Sequence, residues 1–273
     1  YEIETCWRNW LQNNVKVNGL VRITPGVYAG GHDYIRVGAK DTKFGFSSHD
    51  NTYLKAIKKV IEHHMYQFWL EFIVTLVSQI EEIQAYVLAM NKFVDIAYEI
   101  YDIFGIVINK LNAGGGFGIQ YTASDHPLEF DDVVSTIMDI IYKGFDKRDM
   151  KRPMVLVEPG RYCVGNAGIT LYTVGSYKYI RDIRDYISVD GGMTDNIRSS
   201  LYNAKYDAVI ANKAGQEANH LVTVAVKTCE SGDILIRDIM LQDPQPGDIL
   251  AMFSTGAITI QCLLTTTNYL NQQ

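Results

Sequence analysis

Cysteine is scarce in this chain, and the few cysteines stand far apart. Four are present among 273 residues: Cys6, Cys163, Cys229 and Cys262. None has a neighbour at the spacing that zinc and iron–sulfur ligands share, so the sequence predicts no metal site built on cysteine. Their wide separation also argues against a disulfide framework. We therefore expect a protein of a reducing compartment, the cytoplasm.

Excess positive charge and long apolar runs are also missing. The formal net charge is -6 and the sequence pI is about 5.5, without the basic runs that bind nucleic acid. The apolar segment Met65–Ile80 is interrupted by polar residues such as Gln67 and Glu71, and it is too short and too polar to cross a membrane. No signal peptide is visible. The chain begins at Tyr1 rather than at a methionine, so we expect that residues precede it.

The first 165 residues repeat a pattern of short apolar run, polar loop and helix-period segment. The apolar runs are Leu20–Ile23, Phe72–Leu76, Ile106–Leu111 and Met154–Val157. The helical segments are Tyr53–His63, Ile83–Tyr101 and Asp131–Tyr142. Repeated βα units of this kind predict a parallel sheet, and four units are half of a (β/α)8 barrel. We predict a partial TIM-type α/β barrel over residues 1–165.

The character of the sequence changes after Asn166. Six short β runs follow, at Thr170–Val174, Tyr186–Val189, Asp207–Ile210, Val222–Thr228, Ile234–Met240 and Ile249–Phe253. Glycine, aspartate, asparagine and proline bound them, and helix signals nearly vanish. This pattern predicts a second, antiparallel β domain over residues 166–273, which we expect to be truncated at its end.

Two strand ends carry the residues of an anion site. The apolar run Met154–Val157 looks buried and leads into Glu158-Pro159-Gly160-Arg161, a carboxylate, a rigid turn and a guanidinium. The preceding run leads into Gly114-Gly115-Gly116, where backbone N–H groups can converge on an anion. In a barrel, the loops after the last two strands often bind phosphate. Arg161 could equally be a structural partner of an acid, whereas a carboxylate at the end of an apolar strand must be paired or have a shifted pKa.

Further candidate residues lie in the β domain. Arg198 and Tyr202, at i and i+4 of a short helical turn, suit a substrate carboxylate through a guanidinium fork and a phenol. An exposed Arg–Tyr stack is the alternative. Cys229, beside Glu230, could be a buried small hydrophobe or a thiol that donates a proton.

Long motifs connect these residues to a known family. The chain resembles the diaminopimelate decarboxylases, which are pyridoxal-phosphate enzymes of the alanine-racemase-like barrel class that also includes ornithine decarboxylase. The matching motifs are Arg22–Val27, His32–Gly38, Lys43–Phe46, Leu111–Gly118, Glu158–Arg161, Val189–Tyr206, Cys229–Asp233 and Gly247–Ala257. The block VDGGMTDN and the motif CESGD favour the diaminopimelate branch over the ornithine branch.

The resemblance implies decarboxylation of meso-2,6-diaminopimelate to L-lysine with pyridoxal 5'-phosphate, by a homodimer with shared active sites. The implied cofactor-binding residues are Gly114, Gly115, Gly116, Glu158, Pro159, Gly160 and Arg161. The implied substrate-binding residues are Arg161, Arg198, Tyr202 and Glu230. Glu158 would hold the proton on the pyridine nitrogen. Cys229 would protonate the carbanion left by carbon dioxide, and with Glu230 it would reach the neighbouring subunit's site.

The chain also departs from the family pattern. The strand that carries the family's Schiff-base lysine is absent, and Lys43 matches a different family lysine. Thr75 stands where the family has a histidine that stacks on the cofactor, and Ile258 where it has a tyrosine. We expect the polypeptide as written to be inactive. The alternative is a pseudoenzyme or regulatory relative that keeps the fold and the dimer surface.

Two stretches, Phe72–Val77 and Gln261–Gln273, depart most from the family. Each resembles the family motif read one base out of frame, over codons that we chose. We therefore hypothesise frameshifts, in a decaying gene or in an error-prone sequence read. The nucleotide sequence of the gene tests this hypothesis.

Overall fold

Five strands run parallel in the first of the two units into which the chain divides. The computed structural model describes residues 2–14, 19–26, 43–63, 71–74 and 79–257. The first unit comprises Tyr1–Gly118 with Pro127–Pro159, and the second comprises Ile119–His126 with Gly160–Gln273. The domain limits predicted at residues 165 and 166 stay a prediction.

The sheet of the first unit has the strand order β2-β1-β3-β4-β5. Its strands are β1 (Leu20–Thr24), β2 (Phe46–Ser47), β3 (Glu71–Val74), β4 (Lys110–Asn112) and β5 (Met154–Leu156), and all pairs are parallel. The register pairs Asn112 of β4 with Leu156 of β5. Because the two strands run the same way, the loops that follow them begin at the same edge of the sheet.

Four helices accompany these strands: α1 (Glu2–Asn13), α2 (Thr52–Glu62), α3 (Ile83–Phe104) and α4 (Phe130–Asp146). The longest, α3, buries a face that includes Met90, Phe93 and Ile100. These side chains belong to the same core as Leu111 of β4 and Phe145 of α4. Burial of this apolar stripe, at roughly 1.5–3 kcal/mol for each large side chain, holds the helices on the sheet.

The predicted strands and helices of this unit are confirmed, with differences at their ends. The run predicted at Ile106–Leu111 forms a strand only from Lys110, because α3 extends to Phe104 and ends at Gly105 in a left-handed conformation. The structure adds α1 and the two-residue strand β2, which the sequence pattern did not reveal. The view of Met154 as buried is wrong: β5 is the last strand of the described sheet, and Met154 is 58% exposed.

The second unit is built on six strands in the order β10-β9-β7-β6-β11-β8. They are β6 (Thr170–Ile180), β7 (Arg184–Val189), β8 (Ala208–Ile210), β9 (His220–Val226), β10 (Ile234–Leu241) and β11 (Ile249–Met252). Two short helices, α5 (Gly160–Val164) and α6 (Arg198–Tyr202), belong to the same unit. Alternating side chains such as Val222 and Val224 form its core.

The expectation of an antiparallel domain needs one correction. All strand pairs of this sheet are antiparallel except β7 with β9, which pair in parallel. The chain between β7 and β9 carries α6 and β8, so it is long enough for the crossover that a parallel pair requires. The first predicted run also extends beyond Val174, because β6 continues to Ile180 in a hairpin with β7.

No helix in the described ranges is both long enough and apolar enough to span a bilayer.

Asp248, immediately before β11, offers a test of how the second unit is held together. Its carboxylate accepts hydrogen bonds from Asn212 Nδ2 (2.7 Å), Lys213 Nζ (2.6 Å) and the main-chain N–H of Gln245 (2.8 Å). Burial raises the pKa of this carboxyl, but these donors outweigh burial and hold the pKa below its ordinary value. The stability that Asp248 contributes is therefore present above about pH 3.9 and is lost as the pH falls through the folded-state pKa.

We predict that Asp248→Asn lowers the free energy of unfolding at pH 7 by about 1.5–3 kcal/mol, the range for hydrogen bonds to a charged group. The difference from the wild type should shrink below about pH 4. Urea unfolding at pH 7 and at pH 3.5 measures both values. Asp182→Asn is the matched control, since Asp182 is 89% exposed and its change should have little effect. A pH-independent loss in Asp248→Asn would contradict the proposed role of the charge.

Candidate active site

Three glycines form the loop after β4, and the geometry of that loop disfavours larger residues. Gly114 and Gly116 have φ angles of 76° and 91°, in the left-handed region that disfavours other residues. Between them, a Cβ on Gly115 would lie 2.6 Å from the main-chain oxygen of Glu158. The loop is thus packed closely against the turn that follows β5.

Asn112 joins this loop to Glu158, and the sequence analysis did not single it out. Its side-chain Nδ2 donates a hydrogen bond to Glu158 Oε1 (2.9 Å), and its Oδ1 accepts one from the N–H of Gly114 (2.8 Å). The N–H of Glu158 in turn donates to the main-chain oxygen of Gly114 (2.9 Å). Asn112 is buried at the end of an apolar strand. An amide at such a position in the sequence indicates a side chain with specific hydrogen-bond partners.

Glu158 is exposed at the end of β5 but has a fixed orientation. Because Glu158 is exposed, the expectation that its carboxylate must be paired or have a shifted pKa does not apply, although the amide of Asn112 does bind its Oε1. Arg22 of β1 feels the charge of Glu158 as well: burial lowers the pKa of Arg22, and Glu158 opposes that change. The acid therefore stands in a defined place beside the glycine loop, as an anion site with an adjacent carboxylate requires.

Two arginines of the second unit meet at a pair of tyrosines. Arg161 donates a hydrogen bond to the hydroxyl of Tyr121, and Arg198 donates one to the hydroxyl of Tyr206 (2.5 Å). The guanidinium of Arg198 also lies over the ring of Tyr121, 4.9 Å from its centre. We call these four residues the Arg–Tyr cluster. Neither tyrosine was predicted, although Tyr206 lies within a matched motif.

The Arg–Tyr cluster concentrates positive charge in a partly buried place. Burial lowers the pKa of Arg161; Tyr121 opposes this change, and the charge of Arg198 lowers the pKa further. Within the described part of the chain, no carboxylate lies at ion-pair distance from Arg198, which is 8% exposed. A buried cation without a carboxylate partner favours an anionic ligand.

The role predicted for Arg198 and Tyr202, binding of a substrate carboxylate, stays a prediction, and the two side chains have different surroundings. Both belong to α6, but the guanidinium of Arg198 contacts Tyr206 and Tyr121, and Tyr202 is half-buried without a side-chain hydrogen bond among the described residues. The alternative of an exposed Arg–Tyr stack is wrong, because Arg198 is buried.

Cys229 and Glu230 lie on an exposed loop between β9 and β10. Cys229 is a free, exposed thiol, so the alternative of a buried small hydrophobe is wrong. The carboxylate of Glu230 accepts a hydrogen bond from the N–H of Gly232 (3.1 Å) and so stabilises the turn in which it lies. An exposed thiol can exchange its proton with solvent and present it to a ligand.

The predicted residues thus form two groups, one in each unit. Gly114, Gly115, Gly116, Glu158 and Pro159 belong to the first unit, and Gly160, Arg161, Arg198, Tyr202, Cys229 and Glu230 to the second. Three family positions, His32–Gly38, Thr75 and Ile258, lie outside the described residues. Lys43 is described and exposed. The described ranges contain no group of three or more side chains that could hold a metal ion.

Comparison with known proteins places these residues in a wider context. Residues 7–165 match the family model described as "Pyridoxal-dependent decarboxylase, pyridoxal binding domain". The chain is 44% identical over 257 residues to the diaminopimelate decarboxylase of Bacillus subtilis, covering 94% of this chain and 58% of the relative. It is also 44% identical over 246 residues to the protein of that name from Bacillus methanolicus, covering 90% and 57%.

A solved structure shows the same similarity. The crystal structure of diaminopimelate decarboxylase from M. jannaschii in co-complex with L-lysine superposes with a TM-score of 0.79 at 27% identity. That match covers 93% of this chain and 57% of the other. The chain therefore spans less than two thirds of the length of the relatives that it matches.

We predict that Gly115→Ala disrupts the contact between the glycine loop and Glu158. The added Cβ would meet a main-chain oxygen at 2.6 Å, so the two segments must separate. We expect a loss of about 1–3 kcal/mol in the free energy of unfolding, the usual cost of overpacking. Gly215→Ala is the control, because a Cβ on Gly215 meets no atom within 4 Å. Equal stability of the two variants in urea unfolding would show that the close approach is unimportant.

Proposed function

Since the chain belongs to the family of pyridoxal-dependent decarboxylases, we propose that it serves the decarboxylation of meso-2,6-diaminopimelate to L-lysine, the last step of lysine biosynthesis. Membership confirms the resemblance inferred from the motifs. The observation that carries the proposal is the double hydrogen bond of Asn112, which holds Glu158 and the glycine loop as one unit. The unpaired thiols of Cys6, Cys163 and Cys229 support a cytoplasmic location.

The cofactor of this family is pyridoxal phosphate, and the residues of the first unit fit it. The N–H of Gly114 already donates to Asn112, so a phosphate would rely on the N–H groups of Gly115 and Gly116, which have no acceptor among the described residues. Glu158 keeps an exposed carboxylate in a fixed orientation. In the first unit, we assign the phosphate to Gly114, Gly115, Gly116 and Pro159. When bound, the cofactor supplies an electron sink for the bond that breaks.

Glu158 would hold the proton on the pyridine nitrogen of that cofactor. A carboxylate does this by accepting a hydrogen bond from the N–H group. That bond is strongest where the carboxylate is held in one orientation. The amide of Asn112 occupies Oε1 and leaves Oε2 of Glu158 for the ligand.

The substrate would bind through its charged groups. The Arg–Tyr cluster presents Arg161 and Arg198 side by side, and their mutual repulsion is relieved by a carboxylate. Tyr202 of α6 would add a hydroxyl, and Glu230 would bind a substrate ammonium group. Together they suit an amino acid with an additional carboxylate, as meso-2,6-diaminopimelate has.

Cys229 would deliver a proton from its Sγ to the α-carbon after carbon dioxide departs. Its exposure supports this role, because the thiol must recover a proton from water after each turnover. We propose that Cys229 and Glu230 serve the site of a second copy, so that the active form is a homodimer with shared sites. Glu230, which stabilises its own turn, would hold the loop in the shape that presents the thiol.

A cross-subunit assay tests the role of Cys229. The partner is the Bacillus subtilis relative with its counterpart of Cys229 changed to alanine, and formation of lysine from meso-2,6-diaminopimelate is measured after co-expression with this chain. We expect restored activity with the wild-type chain and with Cys163→Ala, which removes another exposed thiol. Cys229→Ala should reduce the restored rate by about 10²–10⁴-fold, the contribution of a positioned general acid.

Native mass spectrometry of the same mixture separates the two parts of the proposal. Absence of a mixed dimer contradicts the shared-site homodimer. A mixed dimer without restored activity contradicts the role of Cys229.

We also infer that the 273-residue polypeptide by itself does not turn over substrate. We propose that its parallel sheet is half of a (β/α)8 barrel. The exposure of Met154 and Glu158 on β5 and just after it supports this view, since closure of a barrel pairs every strand on both sides. Water at the site weakens the electrostatic interactions on which catalysis depends.

The purified chain, incubated with pyridoxal phosphate and meso-2,6-diaminopimelate, should therefore form no lysine by chromatography. The intact Bacillus subtilis relative is the positive control. Steady lysine formation by the chain alone would contradict the half-barrel proposal and leave the assigned reaction standing.

A further inference from the structure

The carboxylate of Asp233 is buried where two loops of the second unit meet. Asp233 is 4% exposed and ends the motif that contains Cys229. Its Oδ1 accepts a hydrogen bond from the N–H of Met193 (2.9 Å), and its Oδ2 accepts one from Oγ1 of Thr228 (3.0 Å). One side chain therefore bonds to both loops.

The bond from Thr228 closes the loop that carries the thiol. Thr228 precedes Cys229, and Asp233 ends the same loop, so their contact joins its two ends. Inside this ring, the N–H of Asp233 donates to the main-chain oxygen of Glu230 (3.0 Å). The loop is exposed from Lys227 to Gly232, so these polar contacts rather than apolar packing define its shape.

The bond from Met193 fixes that ring to the loop after β7. A Cβ on Gly192 would lie 2.9 Å from Oδ2 of Asp233, so the two loops approach closely at this point. The loop after β7 is itself held by Asp195, whose Oδ1 accepts from the N–H of Gly192 (2.7 Å) and whose Oδ2 accepts from the hydroxyl of Tyr172 (2.5 Å). Asp233 therefore attaches the exposed loop that carries Cys229 to the loop after β7, which Asp195 stabilises.

Asp233 has no cationic partner among the described residues. A buried carboxylate without a counter-ion is costly unless hydrogen bonds compensate it. The bonds from Met193 and Thr228 supply this compensation, one from the loop after β7 and the other from the start of the loop that carries Cys229.

We propose that Asp233 is a positioning residue that holds the Cys229 thiol and the Glu230 carboxylate in the orientation used for proton delivery and substrate binding. The proposal rests on the function assigned above to those two residues. Asp233 acts through the loop and does not itself touch the ligand.

The chemistry of the two bonds predicts which substitutions are tolerated. In Asp233→Asn, the amide oxygen still accepts from Met193, and the amide nitrogen can donate to Thr228, because a hydroxyl both donates and accepts. Asp233→Ala loses both bonds. Thr228→Val in the Asp233→Asn background removes the Thr228 hydroxyl, the group that would accept a hydrogen bond from the new amide nitrogen.

The first measurement is the rate at which a disulfide reagent modifies Cys229 relative to Cys163, which is also exposed. In the wild type and in Asp233→Asn the ratio should agree. In Asp233→Ala and in the Thr228→Val/Asp233→Asn double variant, it should rise about fivefold or more, because release of the loop improves access for exchange. Peptide mass spectrometry assigns each modified cysteine.

Two outcomes would overturn the proposal. An unchanged ratio in Asp233→Ala shows that the thiol loop does not depend on Asp233. An equal change in Asp233→Asn and Asp233→Ala shows that charge rather than hydrogen bonding matters. Faster modification of Cys163 would show that Asp233→Ala has failed to fold. In that case, the Thr228→Val/Asp233→Asn double variant tests the same two hydrogen bonds.

The cross-subunit assay then connects the loop to catalysis. Restored lysine formation should fall about tenfold or more with Asp233→Ala and recover with Asp233→Asn, since misplacement of a catalytic group by about 1 Å has effects of that size. The thiol measurement requires no turnover. A failure of the assigned reaction would therefore leave the positioning role measurable, and a failure of positioning would leave the reaction intact.

Discussion

Parallel pairing of β4 with β5 is the constraint on which the site of the first unit depends. Main-chain register places Asn112 beside Leu156, so the glycine loop and Glu158 begin their turns at the same edge of the sheet. The amide of Asn112 can then reach both, and Gly115 can pack on the oxygen of Glu158. A shift of one residue would turn Asn112 to the other face and break both bonds at once.

In the second unit, two like charges, those of Arg161 and Arg198, are partly buried close to each other. Desolvation of a guanidinium costs several kcal/mol even after relaxation. A contact between a guanidinium and a ring face, as Arg198 makes with Tyr121, stabilises the charge by roughly 0.5–2 kcal/mol. The tyrosines therefore position Arg161 and Arg198 without fully compensating them. An anionic ligand would offset the remaining cost.

The sequence predicted the elements of the fold better than it predicted the partners within the site. Periodicity located the long helices because the buried face of α3 repeats over many residues. Strand β2 has two residues and offers no period. The partner of Arg198 was missed because helical spacing pointed to Tyr202. At Asn203, with φ of 51°, the chain reverses and brings Tyr206 back to the arginine. Asn112 could have been found, since a buried amide at a strand end needs partners.

The local contacts of the candidate site do not depend on closure of the sheet. Asn112 binds Glu158 in the first unit, and Arg198 binds Tyr206 in the second. Within the residues that the structure describes, the outer strands β2 and β5 each pair on one side, and Glu158, just after β5, is exposed. Local geometry and global closure are separate requirements, because hydrogen bonds within one loop pair form whether or not the sheet continues. A chain can therefore keep well-formed local contacts independently of how its sheet is completed.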